Sequence, residues 1–446
     1  PALRTLLSTP GFRVMVVALV LAFGLMGARA IWDPDEGRYT NVALTMLDTG
    51  NFVDLSRHHE TGHWTKPPVT YWAIAASIAS FGPHPWSARL PAALAFLACT
   101  WLAWRVARRL QPGSENMAAL AYATMLLPFG AANLITTDFV LAAFQGLAMW
   151  AWVESRFGAH ERAGRWLLLM WVGFAAAFMT KGPPALLPLL AVVAMMWLAP
   201  AGDRRSARAW WAGGLLFVLL ALPWYLVVVL RHDGLLAYFL GTEVVARIAS
   251  DKLHRNPEWY GWLLVYGPTL LLGTLPWTGV AWRALRSAAG RVRGWRDAAI
   301  RRQDEPLLAL WLWVLLPLLV FCVARSRLPL YVLPLFLPIA EFEMELLDKP
   351  FPPFPPEELK AQQEQQDFDS SWVRPIVINN GQPVPEPGPA PQKRPLYLPI
   401  AEFDLDLLQK PYPPFPPEEI VEQQKALDFD NGWARPIVLQ NLRIAA

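Results

Sequence analysis

Runs of apolar residues, each long enough to cross a bilayer, recur along the first three quarters of the chain and constrain its fold more than any other feature. They fall near 11–31, 88–110, 117–136, 137–154, 165–181, 183–199, 209–230, 259–282, 306–324 and 328–347. A span needs roughly 17–25 residues. Backbone exposed to lipid must satisfy its own hydrogen bonds, so each run is expected to be a helix. The expectation is an all-α polytopic membrane protein with about ten transmembrane helices. An apolar content of 54% and 23 tryptophans agree with that class. The formal charge of +3 says little by itself, and no nucleic-acid partner is expected. Cys99 and Cys322 both lie in apolar runs, which argues against a disulfide framework or a cysteine metal site. No cleavable signal peptide is evident, and the missing initiator Met reads as a trimmed or partial chain.

The arginines set the orientation. Val69–Phe81 is apolar, but at about 13 residues it is too short to cross, so it is expected to lie in the interface. The cytoplasmic loops then collect Arg105, Arg108 and Arg109; Arg156, Arg162 and Arg165; Arg204, Arg205 and Arg208; and the run of arginines from Arg283 to Arg302. The opposite face receives 32–66, Asp138, Lys181, 231–258 and 325–327. On that face Asp35 to Leu47 reads as an amphipathic helix with Val42, Ala43, Met46 and Leu47 on its apolar side. Pro67-Pro68 starts a second interfacial helix. Residues 1–347 are thus expected to form one transmembrane domain. Beyond them, 348–446 reads as an irregular, Pro-rich and mostly disordered tail with no activity of its own. Segment 334–380 recurs as 395–441, with a Pro-rich linker at 381–391 between the copies.

The polar stretch Trp32 to Lys66 carries the densest chemistry. Asp33, Asp35 and Glu36 open it, followed by Arg38 and Tyr39. A carboxylate at a membrane surface can be a general base, hold a metal ion or cap a helix start. Capping needs only one acid here, and three are present. Arg38 is placed for an intrahelical pair with Asp35 or for clamping a phosphate with its planar fork. Asp138 follows Thr136-Thr137 where two runs meet, at a boundary where an acid is not expected to be buried outright. Lys66, Lys181 and Arg247 are the other recurrent charges of that face, suited either to snorkelling or to a lipid phosphate. His58, His59 and His63 with Glu60 form the one His-rich cluster, without the fixed spacing of a metal motif. Trp259, Tyr260, Trp262 and Trp277 read as an interfacial aromatic belt or a sugar platform.

Taken in order, these residues resemble the bacterial GT-C type membrane glycosyltransferases. The resemblance rests on Asp35-Glu36-Gly37-Arg38-Tyr39, Lys66-Pro67-Pro68 with Tyr71-Trp72, Arg89-Leu90-Pro91, Thr136-Thr137-Asp138 and Thr180-Lys181-Gly182-Pro183. Pro223-Trp224-Tyr225, Leu275-Pro276-Trp277-Thr278 and the run Ser326 to Pro334 complete it. It covers roughly residues 10–340, and the nearest members are the aminoarabinose transferases that modify lipid A, related to protein O-mannosyltransferases. The resemblance implies a polyprenyl-phosphate-linked sugar donor and a lipid A-like, glycan or protein acceptor. It also implies a multi-pass protein of the bacterial inner membrane whose active site faces the periplasm, with membrane lipids around it. Asp35 would be the principal catalytic carboxylate and Asp138 the second. Glu36, Arg38, Tyr39, Lys66, Lys181, Glu243 and Arg247 would line the carrier-phosphate and sugar pocket. No metal ligand is assigned and no cofactor is certain; a divalent metal ion is left open.

The sequence departs from the family at Thr65, where an acid is expected before the lysine, and near Thr242-Glu243, which lacks a histidine. The family's remaining C-terminal spans and periplasmic domain are replaced by the duplicated tail. The expected reaction is an inverting displacement at the anomeric carbon. The alternatives are a transporter or flippase for lipid-linked sugars and a non-catalytic binding protein.

Overall fold

The computed structural model describes residues 9–32, 34–57, 61–200, 206–246 and 255–342. Asp33, His58, His59, Glu60, Arg247 and the tail from 348 onward lie outside the described residues. Regular structure among the described residues is helical, apart from a two-residue antiparallel ladder of β1 (Ser56–Arg57) with β2 (Thr61–Gly62).

The chain begins with α1 (Pro10–Phe23), α2 (Asp35–Thr49), α3 (Val69–Phe81) and α4 (Pro85–Leu110). Next come α5 (Glu115–Thr124), α6 (Leu126–Ala132), α7 (Thr137–Phe157), α8 (Ala163–Lys181), α9 (Leu189–Leu198) and α10 (Ser206–Arg231). After a π-helical stretch, Tyr238–Ala246, follow α11 (Gly261–Gly273), α12 (Thr278–Arg291), α13 (Ala298–Gln303), α14 (Glu305–Val323) and the short α15 (Phe336–Ile339).

Four helical segments are long and apolar enough to cross a membrane, and up to six if each of two bent pairs counts as one span. The sequence led to about ten, and the difference has local causes. The run at 117–136 is two helices, because Met125 adopts an extended conformation between α5 and α6. Its continuation α7 leaves α6 at 119°. The run at 259–282 breaks at the turn 274–277 around Pro276, and α12 departs from α11 at 113°. The runs at 183–199 and 328–347 begin as 3₁₀ turns over Pro183–Leu186 and Pro329–Leu335. Further in, Pro188 and Pro334 lack the N–H that continuing a regular helix would need. Apolar composition reported burial at these places and missed the breaks.

Two packing features position the polar end of the molecule. First, α7 and α8 run antiparallel, joined by the short connection at 158–162, so the start of α7 and the end of α8 meet. Their close approach uses Gly173, where a Cβ would lie 2.8 Å from the Ala148 backbone nitrogen. Second, α2 turns Tyr39, Val42, Ala43 and Met46 into a small core with Leu55, Tyr71, Ile74, Trp224 and Val228. Fully burying a Val or Met side chain is worth about 1.5–3 kcal/mol, so this cluster is what docks α2 onto α3 and α10. The main core, with Phe96, Phe139, Met170, Phe174, Trp313 and Phe336, lies among the long helices. At the other end of α4 and α7, Glu154 is buried and accepts from Arg109 at 2.6 Å and from the Trp150 indole at 3.3 Å. Arg156 there binds Glu305 and the Ala199 carbonyl.

Candidate active site

Asp35 and Glu36 occupy the first turn of α2, where carboxylates complement the helix N-terminus. Successive helical residues point about 100° apart, and these two acids have opposite environments. The Asp35 side chain is 56% exposed and has Arg38 at 3.6 Å, one turn on. Glu36 is buried and holds six hydrogen bonds. Arg29 grips it with two nitrogens at 2.6 and 3.0 Å, and Arg89 with two at 3.1 and 3.0 Å. The backbone N–H groups of Trp32 and Ile135 donate at 2.8 and 3.0 Å. Burial alone would raise the Glu36 pKa, but the two arginines and two backbone donors outweigh it and hold the group at about 2. Arg89 is itself fully buried and donates to the carbonyls of Met26, Arg29 and Ala30. Arg29 also donates to the Asn133 carbonyl at 2.7 Å. One carboxylate thereby ties together the end of the first helical segment, the start of α2, α4 and the loop that leads into α7.

That loop delivers Asp138. The Thr136 hydroxyl accepts from the Asp138 backbone N–H, and Asp138 lies in the first turn of α7. Contrary to the expectation of an acid left near solvent, its side chain is only 10% exposed and is paired with Lys181. Lys181 is the last residue of α8, which Gly182 ends with a φ of +73°. An anion at one helix start and a cation at the neighbouring helix end both match the helix dipoles. The Lys181 ammonium also sits 4.6 Å from the centre of the Tyr331 ring, whose hydroxyl accepts from Arg255 at 3.0 Å.

Tyr39 joins the two acids. Burial, then the charges of Asp35 and Asp138, push its phenol above the ordinary range, with Arg38 opposing and Tyr331 adding. The two carboxylates, far apart in sequence, thus both act on one buried phenol. The Tyr39 ring packs on Tyr71 at 5.6 Å. The Tyr71 hydroxyl meets the His63 ring nitrogen at 3.0 Å, and the Thr65 hydroxyl meets the same nitrogen at 3.0 Å. Burial, then the positive charges of Arg57, Arg38 and Lys66, lower the His63 pKa to about 3, so its imidazole is neutral. Burial and the nearby Arg38 also push the Arg57 guanidinium down.

Lys66 donates to the Thr65 carbonyl at 2.7 Å and lies 3.6 Å from Glu243. Glu243, in the π-helical stretch, accepts from the Tyr238 hydroxyl at 3.3 Å. Where the motif has Thr65 in place of an acid, an acid from a distant segment stands beside the lysine. The loop between α2 and α3 is fastened to α10. Trp224 donates to the Val53 carbonyl at 3.0 Å, and Asp54 pairs with Arg231 at 2.9 Å and His232 at 3.1 Å. Burial would raise Asp54, but its hydrogen bonds to His232, Asn51 and Arg231 hold it below its usual value.

The structure thus brings Asp35, Arg38, Tyr39, Asp138 and Lys181 together, with Lys66 and Glu243 forming a second pair alongside. Glu36 sits in the arginine clamp. The sequence reading passed over Tyr331, Arg255, Arg57 and the clamp partner Arg29. Tyr331 had a signal, since it lies within the run Ser326 to Pro334, whereas nothing local marked Arg29 or Arg57.

A multi-helix membrane fold with acids, cations and phenols gathered at one end is the kind of protein these features define. The comparisons narrow the kind. Residues 65–226 match the family model described as dolichyl-phosphate-mannose-protein mannosyltransferase. The undecaprenyl phosphate-alpha-4-amino-4-deoxy-L-arabinose arabinosyl transferase of Edwardsiella ictaluri is 32% identical over 342 residues, covering 74% of this chain and 58% of that protein. The enzyme of the same name from Pseudomonas aeruginosa is 33% identical over 340 residues, covering 72% and 57%. Crystal structures of ArnT from Cupriavidus metallidurans, in the apo state and bound to undecaprenyl phosphate, share the fold. Their TM-scores are 0.63 and 0.65 at 23% identity, over 81% of this chain and 63% of that one. The chain is similar to the aminoarabinose transferases and, over residues 65–226, to the protein mannosyltransferases. It spans somewhat under three fifths of the length of the curated relatives it matches.

Proposed function

We propose that this chain transfers a sugar from a polyprenyl-phosphate carrier to a lipid A-like or other acceptor at the periplasmic face of a bacterial inner membrane. The observation that carries this reading is the gathering of two acid–cation pairs, Asp35 with Arg38 and Asp138 with Lys181, near the buried Tyr39. The names of the relatives supply the substrate class, a five-carbon amino sugar on undecaprenyl phosphate. Arginine distribution supports the orientation, with about ten crossings if the interrupted runs are counted as spans and α2 and α3 lie in the interface. Residues 1–347 would be the catalytic body, with no activity assigned to 348–446.

In this reading the acids divide the labour. Asp35 is the more exposed and is loosely paired, so it is free to take the proton of the acceptor hydroxyl. That oxygen attacks the anomeric carbon, the bond from that carbon to the phosphate oxygen breaks, and the carrier phosphate leaves with the electron pair. Asp138 is committed to Lys181 and orients it. Lys66, Arg38 and Arg57 surround the neutral His63 and would stabilise the departing phosphate, which is the electrostatic part of the task. Arg247 would add to them, and Glu243 would hold Lys66 in place until the phosphate arrives. Tyr39 stays protonated and can donate a hydrogen bond to the sugar or phosphate. Glu36 serves by fixing the helix that carries Asp35.

A transporter or flippase reading draws on the two helix pairs bent by 119° and 113°, since transporters bind at broken helices. One assay separates the readings: release of polyprenyl phosphate and appearance of glycosylated acceptor, compared between the wild type and Asp35→Asn. Transfer abolished with donor binding retained supports the enzyme. Full transfer by Asp35→Asn removes Asp35 as the base. Carrier movement across proteoliposomes without any transfer favours the transporter.

A further inference from the structure

The segment from α12 to α13 takes no part in the polar end and has a chemistry of its own. Helix α12 leaves α11 at 113°, so it does not continue the line of the preceding apolar helix. Its side chains divide by angle around the axis, at about 100° per residue. Val280 and Ala284 are buried against the body. On the opposite side Trp282 and Leu285 are 53% and 48% exposed. Arg283 and Arg286 lie on the remaining side, and the Arg286 guanidinium stands 5.3 Å from the Trp282 ring. One face is thus against protein, one is apolar and uncovered, and one is cationic.

Among the described residues, the acids of this segment are already committed. Asp297 caps α13 through the Ala299 N–H, Asp304 accepts from the Trp295 indole, and Glu305 pairs with Arg156. Arg301 is spent on the carbonyls of Leu198, Trp295 and Arg296, which fastens the segment to the end of α9. Among the described residues, Arg283, Arg286, Arg291, Arg293, Arg296 and Arg302 make no ion pair. Exposed Val292 and Ile300 sit between them.

We infer that residues 278–303 form a binding surface for anionic phospholipid headgroups, with Trp282 and Leu285 entering the acyl boundary and these six arginines meeting the phosphates. Charge complementarity selects the occupant. An uncompensated cluster of this size beside an exposed apolar flank is the pattern of an interfacial helix on an anionic leaflet. The orientation proposed above decides only which leaflet this is, the cytoplasmic one, and the binding itself does not depend on the transfer reaction.

The test uses the full chain in mixed phosphatidylcholine–phosphatidylglycerol nanodiscs. The relative association of spin-labelled phosphatidylglycerol and phosphatidylcholine is compared between the wild type and a variant with all six arginines changed to Gln. A preference of about tenfold for phosphatidylglycerol is expected in the wild type, reduced by salt. It should be retained when the six are changed to Lys and lost when they are changed to Gln. A nitroxide at Leu285→Cys, in a Cys99→Ser/Cys322→Ser background, should be reached by oxygen and shielded from an aqueous relaxant. Equal lipid selectivity in the wild type and the Gln variant overturns the proposal. So does a label at 285 open to the aqueous relaxant, or one shielded from both agents as under a covering protein segment.

Discussion

Changing Glu36 to Gln tests whether the arginine clamp, rather than the substrate, is the partner of this residue. The side chain keeps its shape and loses its charge. Both Arg29 and the fully buried Arg89 then face an amide whose NH₂ group opposes their own donors. A carboxyl held at about 2 rather than its ordinary 4.5 is ionised in the folded state with a preference of about 3 kcal/mol. Removing one partner of a buried pair typically costs about 3–5 kcal/mol, so the two routes agree on the size. The expected outcome is a loss of about 3 kcal/mol in denaturant unfolding of the purified protein. Donor affinity measured below the unfolding range should change little, with turnover falling as Asp35 loses its fixed mount. The same substitution in an Arg89→Met background should cost less, because the stranded cation is gone. A Glu36→Gln protein with unchanged stability and a selective loss of donor binding would refute the clamp and make Glu36 a substrate ligand.

Lys181→Met and Asp138→Asn are expected to lower transfer by similar amounts and to combine non-additively, since each disables the same pair; additive losses in a double-mutant cycle of kcat/KM would show separate roles. His63 is held at about 3 against its ordinary 6.5, so the unfolded chain binds the extra proton between those values. Stability should be complete above pH 6.5 and decline as pH falls towards 3, with the loss of the Glu36 contribution added between 4.5 and 2. Thermal melts of His63→Asn should lose the first part of that decline and keep the second. Asp54→Asn loosens a partly exposed ion-pair contact and should cost about 1 kcal/mol or less, read as faster proteolysis in the 50–66 loop. Gly173→Val forces a branched side chain against the Ala148 backbone and should destabilise by about 1–3 kcal/mol in the same unfolding assay.

The class of fold was legible in the sequence because it rests on a coarse pattern: apolar runs mark helices that are buried or in lipid. Arginine counting adds an expected orientation without any contact information. The breaks at Met125 and Pro276 were not legible, since a single extended residue or one proline inside an apolar run leaves the composition unchanged. Asp35 and Glu36 looked equivalent as neighbours in a motif. Their separate environments depend on Arg29, Arg89 and the Ile135 backbone, which only tertiary packing brings to one carboxylate. Asp138 was read as an acid near solvent because its partner, Lys181, lies a full helical hairpin away. Glu243 beside Lys66 illustrates the same limit: the acid missing at Thr65 is found in space rather than in the motif.

The Glu36 clamp also has a consequence for the order in which the protein is assembled. Its donors come from residues 29, 32, 89 and 135, so the last of them exists only once the chain has been made through α6. Arg89 itself bonds only to residues 26, 29, 30 and 36, all made before it, so until α4 is in place Glu36 cannot be buried without losing one of its two cations, at a cost of several kcal/mol. The clamp can close once α4 has arrived, and the Ile135 N–H adds its last bond. The first turn of α2, with Asp35 next to Glu36, is thus fixed by residues that follow it in the chain rather than by its own segment.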